Sequence, residues 1–384
     1  MSYIISVSTL IVILFFERNR MILPLSAVII SGVVVFICLS GNYYNGYDWI
    51  NYLDNFQCLK YLGVYCWDKY DISYTLIVYL CSKIFDDYHS VVVVISVINT
   101  YCLCFFAYKN CRNPLLFITI YFSLYAWVLY SETLRQSLAV SFVFLSLSAF
   151  NKKHFIKSLA LLGVASTFHI SALFFLVLYI LKYKTNLTYK LFVLSFLIGA
   201  VFLPYIAASF FYLNPRILSY FLDTNWNEAQ NLSIIQVSTT LFSLLLLFMV
   251  WRRLYNNNML ITKDEWGKAN LIMFSLFSVL FALGKLHAQY FEVLSRVNYY
   301  IAIPAFVYLS NRIEDLRVTN KIIIYPFLMV YLLYSPVRFF YSLQKFDEYN
   351  NFYVDKLLLN KKINIEYLKN TRCSYLGNKF SACK

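Results

Sequence analysis

Long apolar runs alternate with short clusters of lysine and arginine along this chain, and that alternation limits its fold more than any other feature. An apolar run of about 20 residues can cross the hydrocarbon core of a membrane as a helix. Basic residues in the connecting loops are held on the cytoplasmic side. The pattern therefore predicts an all-α polytopic membrane protein and the side of each loop. The clusters are Arg18/Arg20, Lys109/Arg112, Lys152/Lys153/Lys157, Lys182/Lys184/Lys190, Arg252/Arg253/Lys263/Lys268 and Arg312/Arg317/Lys321.

The charge content supports the same class. Charged residues make up 14% of the chain and hydrophobic residues 60%, whereas a soluble domain carries about 25% charged residues. A net charge of +14 would indicate nucleic-acid binding in a soluble protein. Here most basic residues lie in short loops between apolar runs, so we expect them to orient helices against membrane lipid, with no nucleic-acid partner.

The predicted spans give about twelve crossings. The first, 3–16, has no basic residue before it, so we interpret it as a retained span and not a cleaved signal peptide. The others include 21–40, 90–108, 114–131, 136–150, 191–212, 234–251, 270–287, 297–310 and 322–337. We expect one transmembrane domain over 1–337 and a basic tail, 338–384, in the periplasm. The loops on the periplasmic side are then 41–72, 131–136, 213–233 and 284–296.

Two segments do not fit a simple count of crossings. Residues 71–85 are apolar, but a crossing there would move Lys109 to the outside, so we expect an interfacial or re-entrant helix. Residues 158–181 either cross once or form two half-helices that meet near Phe168 and His169. The second arrangement keeps both flanking basic clusters inside.

The cysteines leave one question open. Cys58/Cys66 and Cys373/Cys383 are local pairs in segments predicted to be outside, where an oxidising compartment allows two disulfides; the alternative is four free thiols. The other five cysteines lie in or beside spans, where cysteine behaves as a small apolar residue. No spacing of cysteine and histidine indicates a metal site.

Ionisable residues at membrane depth are costly and therefore mark candidate functional sites. Glu132 and Arg135 are three residues apart, a spacing that predicts one face of a helix. Glu292 and Arg296, four apart, follow the same rule. All candidates map to the outer side of the membrane, and the remaining ones are Asp48, His169, Arg216, Lys285 and His287.

Arg135 and Arg296, with either Lys285 or Arg216, would form an anion site, since the planar fork of arginine matches phosphate. An anion at the outer lipid boundary suggests a lipid-linked diphosphate. The cytoplasmic loops contain no phosphate-binding glycine loop and no paired carboxylates, so we expect neither a nucleotide nor another cofactor.

A structural interpretation of the same residues stays open. Each Glu–Arg pair can be a neutralising helix ion pair. His169 can be a hydrogen-bonded histidine inside the helix bundle, and Asp48 a turn residue.

Four short motifs carry a family resemblance: GYDWINY at 46–52, LRQSLA at 134–139, FHISAL at 168–173 and SRVNYY at 295–300. In this order they resemble the EpsG-like branch of bacterial Wzy polymerases, which act in O-antigen and exopolysaccharide assembly. The resemblance spans residues 40–310 approximately. It implies a GT-C-like, metal-independent glycosyltransferase in the bacterial inner membrane, with its active site facing the periplasm.

The resemblance also implies a reaction and its participants. A growing glycan passes from undecaprenyl diphosphate to the terminal sugar of a lipid-linked repeat unit, and a chain-length regulator is a further expected partner. We expect Arg135 and Arg296 to bind the diphosphate, with Lys285 and Arg216 beside them. His169 or Asp48 is the expected base. Predicted substrate contacts are Tyr47, Trp49, Glu132, Gln136, Glu292 and Tyr299.

Other functions remain alternatives. A flippase or transporter of the lipid-linked sugar would carry paired repeats and broken helices near the bilayer midplane, but the charges here collect on one side. An O-antigen ligase uses the same donor. A membrane acyltransferase would need a histidine at the midplane or the cytoplasmic face.

Overall fold

A computed structural model of the chain describes residues 2–19, 21–42, 48–176, 291–314 and 364–376, with short stretches between 325 and 360. This part of the chain is helical and contains no β-strand, apart from one isolated bridge between Asn42 and Asn351. The prediction of an all-α protein is confirmed for these residues. The predicted loop at 213–233, which contains Arg216, lies outside them. Lys285 and His287 also lie outside the described residues.

The helices follow the apolar runs closely. They are α1 (Ser2–Arg18), α2 (Pro24–Ser40), α3 (Trp49–Leu62), α4 (Ile72–Ile84), α5 (His89–Asn110), α6 (Pro114–Trp127), α7 (Leu134–Asn151), α8 (Phe155–Phe168), α9 (Phe291–Glu314) and α10 (Ile365–Leu376). Two compact units contain them. Unit 1 comprises residues 1–172 and 328–384, and unit 2 comprises residues 173–327.

Unit 1 has an apolar helical core in which α7 packs against α5 and α8, and α2 packs against α1 and α5. The rings of Phe106 and Phe144 are centred 5.0 Å apart, and that of Tyr121 lies 5.2 Å from Phe144. Within the described residues, His89–Asn110 and Pro114–Glu132 are long and apolar enough to cross a membrane, by length and composition. With the hydropathy of the chain, they support a helical membrane protein.

Polar side chains join α5 to α7 inside this apolar core. Asn99 Nδ2 donates to Ser137 Oγ at 2.9 Å, and Ser141 Oγ donates to Asn99 Oδ1 at 2.7 Å. Nearer the other end of the pair, Asn151 Nδ2 donates to Asn110 Oδ1 at 2.7 Å. Such hydrogen bonds have no competing water in an apolar environment, so they fix the register of the two helices.

Two breaks in the helices prepare the site. A π-helical turn, Val128–Glu132, follows α6, and Thr133 leaves the helical conformation before α7 begins. After α8, His169 is extended, and a 3₁₀ turn covers Ile170–Phe175. The predicted break near 168–169 is therefore present. Residues 177–181, the end of the 158–181 segment, lie outside the described residues. The choice between one crossing and two stays open.

Helix α4 has 13 residues, a length of about 20 Å that is shorter than the roughly 30 Å hydrocarbon core. Ile72, Leu76, Leu80 and Ile84 are exposed along it at helical spacing. This apolar stripe fits the interfacial or re-entrant helix predicted for 71–85. The depth of α4 in a membrane stays a prediction.

The two predicted cysteine pairs are oxidised where the structure describes them. Cys58 and Cys66 form a disulfide that closes the end of α3 onto the 3₁₀ turn Gly63–Lys69. Cys373 is also disulfide-bonded, and its predicted partner, Cys383, lies outside the described residues. Cys38, Cys81 and Cys102 are buried thiols in helices, as predicted for small apolar residues.

A short piece of the C-terminal region, residues 351–353, crosses the end of α2, and we call it the C-terminal strap. The Phe352 backbone N–H donates to the carbonyl of Gly41 at 2.9 Å, and the Tyr353 hydroxyl lies 2.8 Å from Ser40 Oγ. The ring of Phe352 stacks on His89, with centroids 3.8 Å apart. The strap thus binds the ends of α2 and α5 together.

Two ion pairs extend this attachment. Lys356 Nζ lies 3.3 Å from Asp87 Oδ2, and Lys369 Nζ on α10 lies 3.4 Å from Asp54 Oδ1 on α3. The tail therefore lies at the same end of unit 1 as the loop that carries α3.

Candidate functional site

The site centres on Arg135, in the first turn of α7. Its Nη1 donates to Asp71 Oδ2 at 2.8 Å. Asp71 stands at the N-cap position of α4 but makes no side-chain capping bond there. The two side chains are 28% and 32% exposed. This ion pair therefore lies within reach of a ligand and joins two segments that are 64 residues apart in the sequence.

Two tyrosines contact the Arg135 guanidinium, and a third, Tyr74, packs against both of them. The guanidinium lies over the ring of Tyr70, 4.6 Å from the centroid, and forms a side-chain hydrogen bond with Tyr52. The rings of Tyr52, Tyr70 and Tyr74 lie between 5.4 and 5.7 Å from one another. Aromatic faces attract a cation and hold it in a fixed position. The cage thus pre-orients the guanidinium.

Tyr70 stays neutral at ordinary pH. Burial, and to a lesser degree the neighbouring Tyr52, raise the pKa of the Tyr70 phenol well above its usual value. The charge of Asp48 acts in the same direction, which places Asp48 within electrostatic range of the cage. Tyr70 is therefore an un-ionised aromatic face beneath Arg135, and the positive charge of the guanidinium is balanced mainly by Asp71.

One donor of Arg135 has no acceptor among the described residues. Its Nε is buried and makes no hydrogen bond with them. An unsatisfied buried donor costs free energy, and more so on a charged group. The hydroxyl of Tyr74, in the same cage, is also buried and without a partner. These two atoms are the donors that an anionic ligand would satisfy.

A second chain of hydrogen bonds lies beside Arg135. Gln136 Nε2 donates to Ser171 Oγ at 3.4 Å, and Ser171 Oγ lies 2.6 Å from His169 Nδ1. The Ser171 backbone N–H also donates to Nδ1, at 3.3 Å. Because Nδ1 accepts that bond, the proton of neutral His169 is assigned to Nε2.

Glu132 and Arg135 do not share a helical face, so that part of the sequence interpretation is wrong. The backbone leaves the helix at Thr133, between them. Glu132 instead accepts a hydrogen bond from Trp127 Nε1 at 3.0 Å, while Arg135 pairs with Asp71. The break turns Arg135 towards α3 and α4.

The other predicted residues fall in different places. Trp49, the first residue of α3, is buried, with 4% of its surface exposed, and Gln136 is also buried. Tyr47 lies outside the described residues. On α9 in unit 2, Arg296 is half-buried and Tyr299 is buried. Glu292 precedes Arg296 by one turn, as the sequence predicted.

Sequence reasoning missed several members of the site. Tyr52 was present in the GYDWINY motif but was not selected. Asp71 and Tyr70 immediately precede the apolar α4 segment. An acidic residue at a predicted helix start is usually explained as a cap. The available signal was the position of Asp71 at the predicted membrane boundary, where any ionisable residue is a candidate site residue.

The family comparison covers the segments that form this site. The EpsG family model matches residues 3–355. The chain belongs to the EpsG family. The match contains all four motifs and ends before α10, so the family assignment covers the site and the strap but not the tail helix. Membership indicates a function in polysaccharide polymerisation at a membrane. Neither a curated protein nor a solved structure matches the chain significantly.

Proposed function

We propose that this EpsG-family protein is an O-antigen or exopolysaccharide polymerase. It transfers a growing glycan from undecaprenyl diphosphate to a sugar hydroxyl of a lipid-linked repeat unit, at the periplasmic face of the bacterial inner membrane. The observation that carries the proposal is Arg135, a caged arginine with an unsatisfied buried Nε. It lies where residues of the first three motifs meet, and family membership supplies the polysaccharide chemistry.

In this proposal Arg135 binds the donor diphosphate. The leaving group carries its charge from the start, so a fixed cation that matches it stabilises the transition state. The cage reduces the reorganisation that binding would otherwise require. Arg296, Lys285 and Arg216 are proposed to supply further positive charge.

His169 and Asp48 are the proposed acid–base residues, and Gln136 positions His169 through Ser171. The unperturbed pKa of a histidine side chain, near 6.5, suits proton transfer at neutral pH. Tyr47, Trp49, Glu132, Glu292 and Tyr299 are proposed to contact the sugars of the two lipid-linked chains. We propose a GT-C-like arrangement of about twelve crossings, no cofactor, and a chain-length regulator as partner.

The proposed side of the membrane is supported by the basic clusters. Basic loops such as Lys152/Lys153 are exposed at one end of unit 1, after α7. Arg135 stands at the other end of the same helix. The positive-inside rule therefore supports a periplasmic position for Arg135 and α3, and we propose that the attached tail lies there with them. The cysteine pair in the α3 loop fits an oxidising compartment.

The test is polymerisation by purified protein. Undecaprenyl-diphosphate repeat unit is added without nucleotide, and the products are separated on a gel. We expect a ladder spaced by one repeat unit. Arg135→Ala should lose the ladder, with activity reduced by about a hundredfold or more, whereas Arg112→Ala, an exposed arginine in a loop, should keep it.

Folding of both variants is checked by thermal unfolding. A full ladder from Arg135→Ala would remove Arg135 from the site. No ladder from folded wild-type protein would overturn the polymerase proposal, and transfer of a single glycan to a separate acceptor would indicate a ligase.

A further inference from the structure

The anion position at Arg135 is occupied by the protein's own carboxylate. Asp71 Oδ2 lies 2.8 Å from Nη1, and both side chains are about one-third exposed. A carboxylate and a phosphate oxygen make the same kind of charge-assisted hydrogen bond to a guanidinium. Asp71 therefore stands where an oxygen of the proposed diphosphate would bind.

Asp71 is held mainly through this contact. Its backbone carbonyl accepts the Thr75 N–H at 3.0 Å, but the carboxylate makes no capping bond to α4. Loss of the Arg135 contact would leave the helix start intact. The side chain is thus able to change partner without unfolding α4.

His169 is poorly placed to accept a proton at Nδ1. That nitrogen already accepts the Ser171 backbone N–H at 3.3 Å and lies 2.6 Å from the Ser171 hydroxyl. Its other nitrogen carries the proton in the assigned tautomer. The imidazole is therefore arranged to donate through Nε2, which suits a phosphate or sugar oxygen.

We propose that Asp71, in place of His169 or Asp48, is the base of the transfer reaction and is also a latch on Arg135, an inference that rests on the proposed function. In the resting protein Asp71 neutralises Arg135. The donor diphosphate, with its greater charge, displaces it from the guanidinium. The released carboxylate then faces the acceptor sugar, so the base becomes available only when the donor is bound.

The step balances without a further reagent. The acceptor hydroxyl oxygen forms a bond to the anomeric carbon of the donor glycan. The bond between that carbon and the diphosphate oxygen breaks, and its electron pair leaves with undecaprenyl diphosphate on Arg135. The hydroxyl proton moves to the Asp71 carboxylate, which returns it to solvent through its exposed face.

The latch predicts opposite effects on binding and on rate. Asp71→Asn removes the competing charge, so full-length protein should bind undecaprenyl diphosphate at least about threefold more tightly. The same variant lacks a base, so kcat should fall about a hundredfold or more. A residue that only supports the fold would weaken both. The matched control is Asp86→Asn, whose carboxylate pairs with Lys60 in solvent.

Asp71→Glu provides a second test that keeps the charge. We expect it to bind undecaprenyl diphosphate as the wild type does and to retain more activity than Asp71→Asn. The proposal is overturned if Asp71→Asn binds the diphosphate no better than wild type, or if it keeps wild-type kcat. If Asp71→Asn does not fold, equal loss of rate in a folded Asp71→Glu and in Arg135→Ala would likewise overturn it.

The two proposals fail in different ways. Absence of polymer from wild-type protein defeats the proposed function, whatever the binding data show. Wild-type polymerisation combined with unchanged diphosphate binding in Asp71→Asn defeats the latch alone.

Discussion

The guanidinium carbon of Arg135 lies over the ring of Tyr70, 4.6 Å from the ring centroid. Tyr70 lies just before α4, and Arg135 lies in the first turn of α7. Their contact therefore fixes the starts of the two helices relative to each other. The Asp71 carboxylate adjoins the same contact. The position of the proposed anion site therefore depends on an aromatic ring as well as on an opposite charge.

Two substitutions of Tyr70 should distinguish the contribution of its aromatic ring to activity from that of its hydroxyl. Tyr70→Phe keeps the aromatic face, and we expect near wild-type polymerisation. Tyr70→Leu removes a cation–π contact of about 0.5–2 kcal/mol, so kcat/KM should fall between about twofold and thirtyfold. Tyr65→Leu, at a tyrosine that is 90% exposed, is the control. Equal activity of the Phe and Leu variants would show that the ring does not position Arg135.

Ser171→Ala should impair His169 without touching the imidazole. The substitution removes the hydroxyl 2.6 Å from Nδ1 and the acceptor for Gln136. Unsatisfied buried groups cost about 1–3 kcal/mol, so we expect a loss of about fivefold to a hundredfold in kcat and an altered pH–rate profile. Ser166→Ala, whose hydroxyl only donates to its own helix, should leave both unchanged. An unaltered pH–rate profile in Ser171→Ala would contradict the proposal that Gln136 and Ser171 position His169.

Gly41→Ala should detach the C-terminal strap. A Cβ at Gly41 would lie 2.7 Å from Asn351 Nδ2 and 2.9 Å from the Ile37 carbonyl oxygen. Such overpacking typically costs about 1–3 kcal/mol of unfolding free energy. We expect a lower midpoint of thermal unfolding and faster proteolysis within the tail.

Gly163→Ala is the matched control for that substitution, because a Cβ there meets no atom within 4 Å. Alanine favours a helix over glycine by about 1 kcal/mol, so this variant should be as stable as wild type or more so. Equal proteolysis of the tail in both variants would show that the strap does not hold it.

The Cys58–Cys66 disulfide should stabilise the loop that carries α3. It closes a loop with a sequence separation of 8, for which the chain-entropy relation gives about 2.5 kcal/mol. Cys58→Ser with Cys66→Ser should therefore lower the unfolding midpoint of unit 1. Because the bond joins α3 to the 3₁₀ turn and not to α4 or α7, we expect kcat to change less than stability. A wild-type midpoint in the double variant would show that the bond adds no stability.

Local pattern was sufficient for most of the described helices, but not for α3 and α10, which lie in segments predicted as a loop and a tail. The apolar runs that predict spans at 90–108 and 114–131 correspond to α5 and to α6 with its π-helical turn. A break near 168–169 belonged to one of the two predicted alternatives for 158–181, the one that keeps both flanking basic clusters on the same side. Both inferences depend on the cost of placing polar groups in lipid, which is a property of the sequence itself.

Pairing within the site was not available from local pattern. Spacing suggested that Glu132 was the partner of Arg135, but that rule assumes an unbroken helix. The backbone leaves the helix at Thr133, and Arg135 instead meets a carboxylate 64 residues earlier. A contact of that kind arises when two helix starts pack together, and no short motif encodes it.

The sequence by itself determined the class of the protein, the course of most of its described helices and some of the polar residues of the candidate site, Arg135 among them. These follow from hydropathy and charge, whose energies act residue by residue. The tertiary structure decided which of those residues meet. It brought Asp71, Tyr52 and Tyr70 to Arg135, because helix packing sums many weak contacts between distant segments and only their joint minimum fixes the partners.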